Sequence, residues 1–330
     1  MITSRAWCRV DFAGGTLDIW PLGLLHPGAR TVNLAIDLEA TVHLTPLAAG
    51  ENYRVHQGES FAEAESPAAL SVHPEGALVG VVADALGLPP FMVELRSGSP
   101  RGGGLGGSSA LVVALIAAAE EAFDLPRSEA AEKAHLARDV EARLMGLPTG
   151  IQDHYPALLG GALEILQAPG GERVRSLAVD LEGLAASLVI VYSGQSHFSA
   201  GKNWQVVRRR LEGEPEITHL FAGLAKIATA AATSLAAGDL PHLGALMSEE
   251  WSLRRQLADG ISTPLLEHLL TAGRAAGAWG GKACGAGGGG CIALLCPAER
   301  RVEVEAALQR TGGTVLVARP TMEPLLVTRS

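Results

Sequence analysis

The sequence predicts an α+β protein with two domains. The chain has 330 residues, which is enough for two domains that each bury a sizeable core. Hydrophobic residues make up 48% of it and charged residues 18%, a balance typical of globular proteins rather than disordered chains. Its first half is rich in predicted strands. Its second half alternates helices and strands, as in a small sheet that carries helices on one face.

Charge, cysteine spacing and hydropathy narrow the function classes. The net charge is −9 at pH 7, which argues against a nucleic acid partner because phosphate neutralisation needs a basic face. The four cysteines match no zinc-binding spacing, and their apolar surroundings predict buried free thiols in a reducing compartment. The sequence shows no apolar signal region and no uncharged run of membrane-spanning length. We therefore expect a cytoplasmic protein without membrane contact, and the sequence leaves a homodimer open.

The first hundred residues predict strands with one helix among them. Residues 1–12 form the opening strand, which ends in a polar, glycine-rich segment from Arg9 to Asp18. By residue type alone, Arg9 is interpreted as an edge arginine and Asp18 as a turn residue, although two such side chains across a Gly-Gly turn could face one pocket. Further elements are strands at 31–36, 40–44 and 91–95, a helix at 77–86, and a short hairpin with loops in the polar segment at 51–74.

The segment from Pro100 to Ala110 predicts an anion-binding loop. It contains five glycines in six positions, which suit neither a helix nor a strand because glycine costs entropy and adds no side chain to bury. An apolar helix follows at 108–123, and its unpaired N–H groups and positive dipole end favour a phosphate. Two other interpretations stay open on this pattern: a surface turn, and the dinucleotide fingerprint G-x-G-x-x-G. The Walker A lysine is absent.

The next predicted helix, at 128–145, carries a candidate carboxylate. Its core face is formed by Leu136, Val140 and Leu144, and Glu141 lies beside that face. On residue type alone, Glu141 is interpreted as a solvated helix charge.

A polar segment at 149–155 follows this helix and contains Gln152, Asp153 and His154. An aspartate in this setting is most often a helix N-cap. His154 is expected to point away from Asp153, because neighbouring side chains of an extended segment face opposite sides.

The second half predicts a further domain that begins at residue 183. A buried strand at 188–192 follows this boundary, and then a polar segment contains His197, Lys202 and Asn203. These three side chains are interpreted either as substrate contacts or as loop and cap residues. The remaining predicted elements are strands at 160–166, 292–295 and 314–317, helices at 203–211, 216–237, 240–258, 264–278 and 298–310, and a glycine-rich loop at 280–291.

Four segments together resemble the motifs of the GHMP small-molecule kinases, in the order found in that family. Residues 100–110 resemble its phosphate loop, with Gly107 where a serine is common. Residues 9–18 resemble the first sugar-kinase motif in the form that is closer to the heptose-phosphate kinase and fucokinase branch. Residues 141–155 resemble the segment that ends in Gly-x-Gln-Asp-Gln-Tyr-Ala, with His154 in place of the second Gln and Pro156 in place of the final Ala. Residues 282–290 resemble the third motif, Lys-x-x-Gly-Ala-Gly-Gly-Gly-Gly.

This resemblance implies a fold and a mechanism. The implied GHMP kinase fold has an N-terminal mixed α/β domain at 1–182, a C-terminal ferredoxin-like domain at 183–330, and an active site between them. Asp153 would take the proton of the acceptor hydroxyl, and Arg9 would offset charge on the transferred phosphoryl group. Ser108 and Glu141 would hold Mg²⁺, which commonly combines one or two protein oxygens with phosphate oxygens.

The resemblance also implies which residues contact the two substrates. The ATP phosphates would be held by Pro100, Gly102, Gly103, Gly104, Leu105, Gly106, Gly107, Ser108 and Ser109. The sugar would be contacted by Gly15, Thr16, Asp18, Gln152, Ser193, Gly194, His197, Gly287 and Gly288. His197 stands where the heptose-kinase branch has an arginine near the substrate.

The sequence therefore predicts a kinase that uses ATP and Mg²⁺ and phosphorylates a hydroxyl of a sugar or sugar derivative, with the anomeric oxygen as the expected acceptor. One alternative is a kinase for a non-sugar alcohol, such as a polyol or a mevalonate-like acid. Another is a non-catalytic nucleotide-binding protein, against which the presence of Ser108, Glu141 and Asp153 argues. A dinucleotide-dependent oxidoreductase would need a Rossmann unit at the N-terminus, which the sequence does not show.

Overall fold

Two β-sheets organise the chain. The structure is a computed structural model that describes the backbone of residues 1–196 and 200–330 and the side chains of residues 1–196 and 203–330. The first sheet has eight described strands: β1 (Ile2–Ala13), β2 (Arg30–Pro46), β3 (Tyr53–Gln57), β4 (Ser60–Ala64), β5 (Phe91–Ser97), β6 (Ala162–Leu166), β7 (Arg173–Leu177) and β12 (Leu326–Arg329). The second has four: β8 (Leu188–Tyr192), β9 (Gly280–Ala283), β10 (Cys291–Leu295) and β11 (Thr314–Leu316).

Helices cover both sheets. The described α-helices are α1 (Pro67–Ser71), α2 (Ala77–Leu86), α3 (Gly107–Ala122), α4 (Ala130–Met145), α5 (His154–Leu159), α6 (Leu181–Ser187), α7 (Ala200–Leu211), α8 (Pro215–Ala237), α9 (Leu240–Arg254), α10 (Pro264–Ala275) and α11 (Arg301–Arg310), and short 3₁₀ turns lie at Leu22–Leu25 and Ala298–Arg300. The helices predicted from the sequence are present with ends shifted by a few residues. The short helices α1, α5 and α6 were not predicted.

The first sheet has the strand order β12-β1-β2-β5-β3-β4, and β6 and β7 branch from β2. The prediction of two strands at 31–36 and 40–44 is wrong, because β2 is one strand of 17 residues. Residues 37 and 38 of β2, which lie between the two predicted strands, have no paired residue on β1, so the register of the pairing shifts between Trp7 and Cys8. The first part of β2 pairs with β6 and the last part with β5. Strands β7, β9 and β12 were not predicted, and β9 lies within the segment 280–291 that was predicted as a glycine-rich loop.

The second sheet confirms the predicted ferredoxin-like architecture. Its order is β11-β8-β10-β9, and every neighbouring pair is antiparallel. Helices α10 and α11 pack against its strands. The division of the chain at residue 183 stays a proposal. That position lies inside α6, which leads into β8, and β12 returns to pair with β1 of the first sheet.

A shared core joins the two sheets. One cluster of buried side chains contains Val10 and Leu34 of the first sheet together with Ile190 and Ala293 of the second. Helices α8 and α9 supply further members of this cluster and also contact β1. Because both sheets bury apolar surface in one cluster, the residues at their junction are held in fixed register.

Helix α3 fits the prediction of a helix that is apolar nearly all round. Every residue from Ser109 to Glu120 is buried, and the helix packs against β1 and β2. Its first turn therefore projects from the core at the end of the glycine-rich loop.

Helix α8 is the one described helix that is long and apolar enough to cross a membrane by length and composition. In the fold, 56% of that apolar window is buried inside the protein. The core helix of a globular protein passes the same test.

The cysteines behave as predicted. Cys8, Cys284, Cys291 and Cys296 are all free and buried. Burial raises the pKa of the Cys8 and Cys284 thiols to about 12, so both are uncharged at neutral pH.

Candidate active site

A cleft between the two sheets gathers most of the residues predicted for the site. Its cavity volume is about 520 Å³. The wall is built from β1 and the turn after it, the glycine-rich loop, the end of α4, the segment before α5, and the loop after β9. The predicted site residues on this wall are Arg9, Thr16, Asp18, Pro100, Gly102, Gly103, Gly104, Leu105, Gly106, Gly107, Ser108, Ser109, Glu141, Gln152, Asp153 and Asn203.

One side of the cleft is apolar. Leu78, Leu111, Leu144 and Met145 line it. The prediction that Leu144 belongs to the core face of α4 is therefore wrong, and its side chain is 38% exposed. The buried residues of α4 are instead Lys133, Ala134, Ala137, Val140 and Glu141, and the helix packs against α3.

The glycine-rich loop has the geometry of an anion-binding site. Gly104 has a φ of +71°, and a Cβ there would lie 2.5 Å from the Cys284 carbonyl oxygen, so only glycine fits. Gly106, with a φ of +73°, is the N-cap of α3 and has no side chain to cap the helix. The N–H groups of the first turn are thus left for a ligand, and the helix dipole favours an anion there.

Glu141 accepts a hydrogen bond from a serine in the first turn of α3. Ser108 is exposed, whereas the Ser109 hydroxyl is buried and lies 2.9 and 3.1 Å from the two Glu141 carboxylate oxygens. The resemblance implies that Ser108 and Glu141 hold Mg²⁺ together, and that role stays a prediction. Ser109 makes the direct contact because α3 begins at Gly107, and the rotation of the helix turns Ser109 toward α4. Glu141 is buried, so the interpretation as a solvated charge is wrong.

Asp153 and Arg9 form an ion pair at the centre of the cleft. Arg9 Nε and Nη2 donate to Asp153 Oδ1 at 2.9 and 2.6 Å, and Nη1 donates to the Gly104 carbonyl. Burial disfavours the Arg9 charge, but Asp153 and Asp11 outweigh it, and the pKa of Arg9 is raised. Asp153 stands at the N-cap position of α5, but its side chain makes no capping hydrogen bond. Asp153 Oδ1 instead accepts the hydrogen bonds from Arg9, so Asp153 Oδ2 is left to accept a proton from a substrate.

Asp18 and Gln152 place two free acceptors beside this pair. Asp18 Oδ2 accepts a hydrogen bond from Gln152 N at 2.9 Å. Asp18 Oδ1 and Gln152 Oε1 are buried and have no hydrogen-bond partner among the described residues. Burial raises the pKa of Asp18, and the nearby Asp153 carboxylate adds to that rise. A Cβ on Gly150 would lie 2.0 Å from Asp18 Oδ2, so glycine at that position is required for the contact.

The loop between β1 and Asp18 is only partly exposed to the cleft. Thr16 lines the cleft, whereas Gly15 lies behind it and its carbonyl accepts a hydrogen bond from Arg254. Arg254 on α9 also donates to the Thr16 hydroxyl at 3.0 Å.

Five predicted substrate residues lie away from the cleft wall: Gly15, Ser193, Gly194, Gly287 and Gly288. Two of them serve loop structure instead. Ser193 N donates to Gly290 O at 2.9 Å, and Gly288 N donates to Ile261 O at 2.5 Å. From the third motif, the cleft wall contains Gly285 and Ala286. His197 lies outside the described residues, and so does the side chain of Lys202.

His154 lies in a helix rather than in the extended segment that the sequence predicted. It begins α5, is fully buried, and its Nε2 lies 3.1 Å from Glu141 Oε2. Burial lowers the pKa of this imidazole, but Glu141 and Asp153 more than offset the burial, and the pKa is raised. The helical turn places His154 on the α4 side, away from the acceptor wall.

Sequence reasoning missed a buried cluster of charges behind the cleft. Lys282 contacts the Asp11 carboxylate, which also accepts a hydrogen bond from Gly285 N at 2.9 Å. Glu250 pairs with Arg254 one turn along α9 and lies 3.8 Å from Lys282. The available signal was a charged residue flanked by apolar ones, as for Asp11 between Val10 and Phe12 of β1.

Comparison with known proteins identifies the family of this chain. The model for the GHMP kinases N terminal domain matches residues 75–161, and the model for GHMP kinases C terminal matches residues 231–314. A mevalonate kinase from Pyrococcus abyssi is 34% identical over 241 residues, which are 71% of this chain and 68% of that relative. The chain belongs to the GHMP kinases.

Two further proteins similar to this GHMP kinase have names that describe sugar kinases. A D-glycero-alpha-D-manno-heptose 7-phosphate kinase from Campylobacter jejuni is 26% identical over 230 residues, covering 68% of this chain and 67% of that one. The crystal structure of a D-glycero-D-manno-heptose 1-phosphate kinase from Bacteroides thetaiotaomicron has a TM-score of 0.79 at 22% identity, covers 100% of this chain and 99% of its own, and shares the fold. As a GHMP kinase, this chain is a phosphotransferase that acts on an alcohol group and uses ATP.

Proposed function

We propose that this GHMP kinase transfers the γ-phosphoryl group of ATP to a hydroxyl of a sugar, with the anomeric oxygen as the acceptor. The proposal rests on two buried hydrogen-bond acceptors in the cleft that also contains Asp153. These acceptors are Asp18 Oδ1 and Gln152 Oε1, and neither has a hydrogen-bond partner among the described residues. Buried acceptors without partners are costly, and a ligand with several hydroxyl donors would satisfy both. A sugar supplies such donors on adjacent carbons.

Charge in the cleft favours a neutral acceptor over a mevalonate-like acid. A substrate carboxylate would meet the Asp18 and Asp153 carboxylates, which carry the same sign. The described cations on the cleft wall are Arg9, whose Nε, Nη1 and Nη2 already donate hydrogen bonds, and the exposed Arg101 of the glycine-rich loop. The charge of Arg9 is already paired with Asp153, so it does not offset the negative charge that a second acid would add beside Asp18.

The proposed mechanism follows from these positions. The glycine-rich loop and the first turn of α3 bind the phosphates of ATP through backbone N–H groups. Asp153 accepts the proton of the acceptor hydroxyl as the new oxygen–phosphorus bond forms and the bond between the γ-phosphorus and its bridging oxygen breaks to release ADP. Arg9 keeps Asp153 oriented and places positive charge next to the transferred group. A base in this role contributes roughly 10²–10⁴-fold to the rate.

The residues around Glu141 fit a magnesium ion. One carboxylate and a serine hydroxyl are the protein oxygens that Mg²⁺ commonly takes in addition to phosphate oxygens, and Glu141 with Ser108 or Ser109 would supply them. When bound, Mg²⁺ offsets charge on the phosphates. The Ser109 hydroxyl donates to the Glu141 carboxylate, which lines the cleft, and His154 Nε2 lies 3.1 Å from Glu141 Oε2.

A second candidate function is a kinase for a mevalonate-like acid. The observation in its favour is the 34% identity to the Pyrococcus abyssi mevalonate kinase, which exceeds the 26% identity to the Campylobacter jejuni heptose-phosphate kinase.

A screen of ADP release separates the candidates. The protein is incubated with ATP and Mg²⁺ and with free hexoses and heptoses, sugar phosphates, polyols and mevalonate. The proposal expects turnover on a free sugar, with loss of turnover in Asp153→Asn and full turnover in Asp84→Asn, a matched change in an exposed surface ion pair. A product analysis by phosphorus NMR then shows whether the anomeric oxygen carries the phosphate. Turnover on mevalonate alone would replace the proposal with the second candidate.

A further inference from the structure

Thr16 has a backbone conformation that a threonine rarely adopts. Its φ is +71°, in the left-handed region, and it is one of two described non-glycine residues there. A branched Cβ makes this conformation costly, and such residues persist only where the surrounding structure holds them. Thr16 lies on the cleft wall, two residues before Asp18. The strain is therefore located in the loop that carries the acceptor carboxylate.

Arg254 holds this loop from behind. Its Nη1 donates to Thr16 Oγ1 at 3.0 Å and its Nη2 donates to Gly15 O at 2.7 Å, so one planar guanidinium grips two consecutive residues. Gly15 is packed between Arg254 and the acceptor wall. A Cβ there would lie 3.4 Å from Arg254 Nη2 and 3.0 Å from Gln152 Nε2. A shift of the guanidinium would thus be transmitted through Gly15 to Gln152.

The guanidinium is itself fixed by buried charges. Arg254 is 1% exposed and Glu250 is fully buried. Arg254 Nε donates to both Glu250 carboxylate oxygens at 3.0 and 3.1 Å. Glu250 also lies near Lys282, which is held by Asp11. These four residues carry two positive and two negative charges, so the cluster is balanced and each member is confined by its neighbours.

We propose that Arg254 is a positioning residue that sets the shape of the acceptor pocket by holding Gly15 and Thr16 in their strained conformation. Through this contact, α9 of the second half of the chain determines how tightly the first half binds its acceptor. The inference rests on the proposed function in taking the wall at Asp18 and Gln152 as the acceptor site. Among the described residues, Arg254 makes its hydrogen bonds to Glu250, Gly15 and Thr16 and none to the phosphate loop, so we expect a much smaller effect on ATP binding.

The test uses Arg254→Lys with Arg255→Lys as the matched control. Lysine keeps the charge that balances Glu250, so the fold is retained, but its single ammonium cannot reproduce the two-pronged contact. Arg255 is the next residue along the chain, faces solvent and pairs with Glu267, outside the cluster. We expect Arg254→Lys to raise the KM for the acceptor by about tenfold, the cost of one charged hydrogen bond, and to leave the KM for ATP within about twofold. Arg255→Lys should match wild type in both.

A second measurement needs no acceptor. Hydrogen exchange of the peptide that spans residues 14–18 should be faster in Arg254→Lys than in Arg255→Lys. Adding Thr16→Gly should remove most of the difference that Arg254→Lys causes, because glycine adopts the left-handed conformation without support. Equal changes in the KM for acceptor and ATP, or unchanged exchange of this peptide, would overturn the inference. If the wild-type protein phosphorylates mevalonate but no sugar, the proposed function is wrong. The hydrogen-exchange experiment still tests whether Arg254 holds residues 14–18, because it needs no acceptor.

Discussion

Replacing Asp153 with asparagine removes the proposed base while conserving size and shape. Asparagine cannot accept a proton at neutral pH, so kcat should fall by roughly 10²–10⁴-fold, which corresponds to about 3–5 kcal/mol of activation free energy. The affinity for ATP should change little, because the glycine-rich loop and the first turn of α3 supply the phosphate contacts from their own backbone.

The same change also affects stability, and the structure bounds that effect. Arg9 is 2% exposed and would lose its charged partner, but it keeps the Gly104 carbonyl and lies 3.7 Å from Asp11 Oδ1. The amide oxygen that replaces the carboxylate in Asp153→Asn still accepts one hydrogen bond from Arg9. We therefore expect a loss of about 1–3 kcal/mol in the free energy of unfolding, below the cost of stranding a fully buried charge.

Single-turnover kinetics with radiolabelled ATP isolate the chemical step, and calorimetry gives the ATP affinity of each variant. Asp84→Asn is the matched control, because Asp84 pairs with Arg143 on the exposed surface. Single-turnover rates of Asp153→Asn within about threefold of wild type would refute the role of Asp153 as base. A parallel loss of ATP affinity would show instead that the variant disturbs the loop at Gly104.

Three other changes test separate parts of the site. Asp18→Asn should raise the KM for the acceptor yet increase Tm at neutral pH. Because the pKa of Asp18 is raised, the stability of the wild-type protein falls as the pH rises from the ordinary value of 3.8 through the raised one. The gain in Tm of Asp18→Asn should therefore vanish near pH 4, and a Tm below that of wild type at pH 7 would contradict this expectation. Ser109→Ala should raise the Mg²⁺ concentration for half-maximal activity by about tenfold, because the hydroxyl orients Glu141, and an unchanged Mg²⁺ titration would exclude that role. Gly104→Ala should weaken ATP binding at least about tenfold in calorimetry, because the new Cβ would clash with the Cys284 carbonyl. Gly87→Ala, also at positive φ but in open space, should not weaken it. Equal ATP affinities of the two variants would show that this clash does not affect the loop.

Local patterns carried most of the fold prediction. The helices at 77–86 and 216–237 and the strand at 91–95 were found to within a few residues, because hydrophobic periodicity and flanking glycines are properties of short segments. The errors lie where pairing over long distances decides. Strand β2 is continuous because β1 accepts a register shift opposite it, and β12 is a strand only because the edge of β1 is available.

The candidate site was predicted unevenly for the same reason. Residues on the glycine-rich loop and near Asp153 were identified because their motifs are contiguous, and the cleft contains them. The four predicted contacts from loops of the second half, Ser193, Gly194, Gly287 and Gly288, were not brought to the cleft wall. Motif position along the chain places a loop near a site, but the loop's own hydrogen bonds decide which of its residues face the substrate.

By itself, the sequence identified the kinase family and predicted an anion-binding loop at the start of α3 and a candidate base at Asp153, since each depends on residues adjacent in the chain. Tertiary structure alone decided that Ser109 contacts Glu141, that His154 faces the same carboxylate, and that Arg254 holds Thr16. The last contact joins residues 238 positions apart. Whether two such side chains meet depends on how α9 packs against β1, and a single sequence carries no local signal for that geometry.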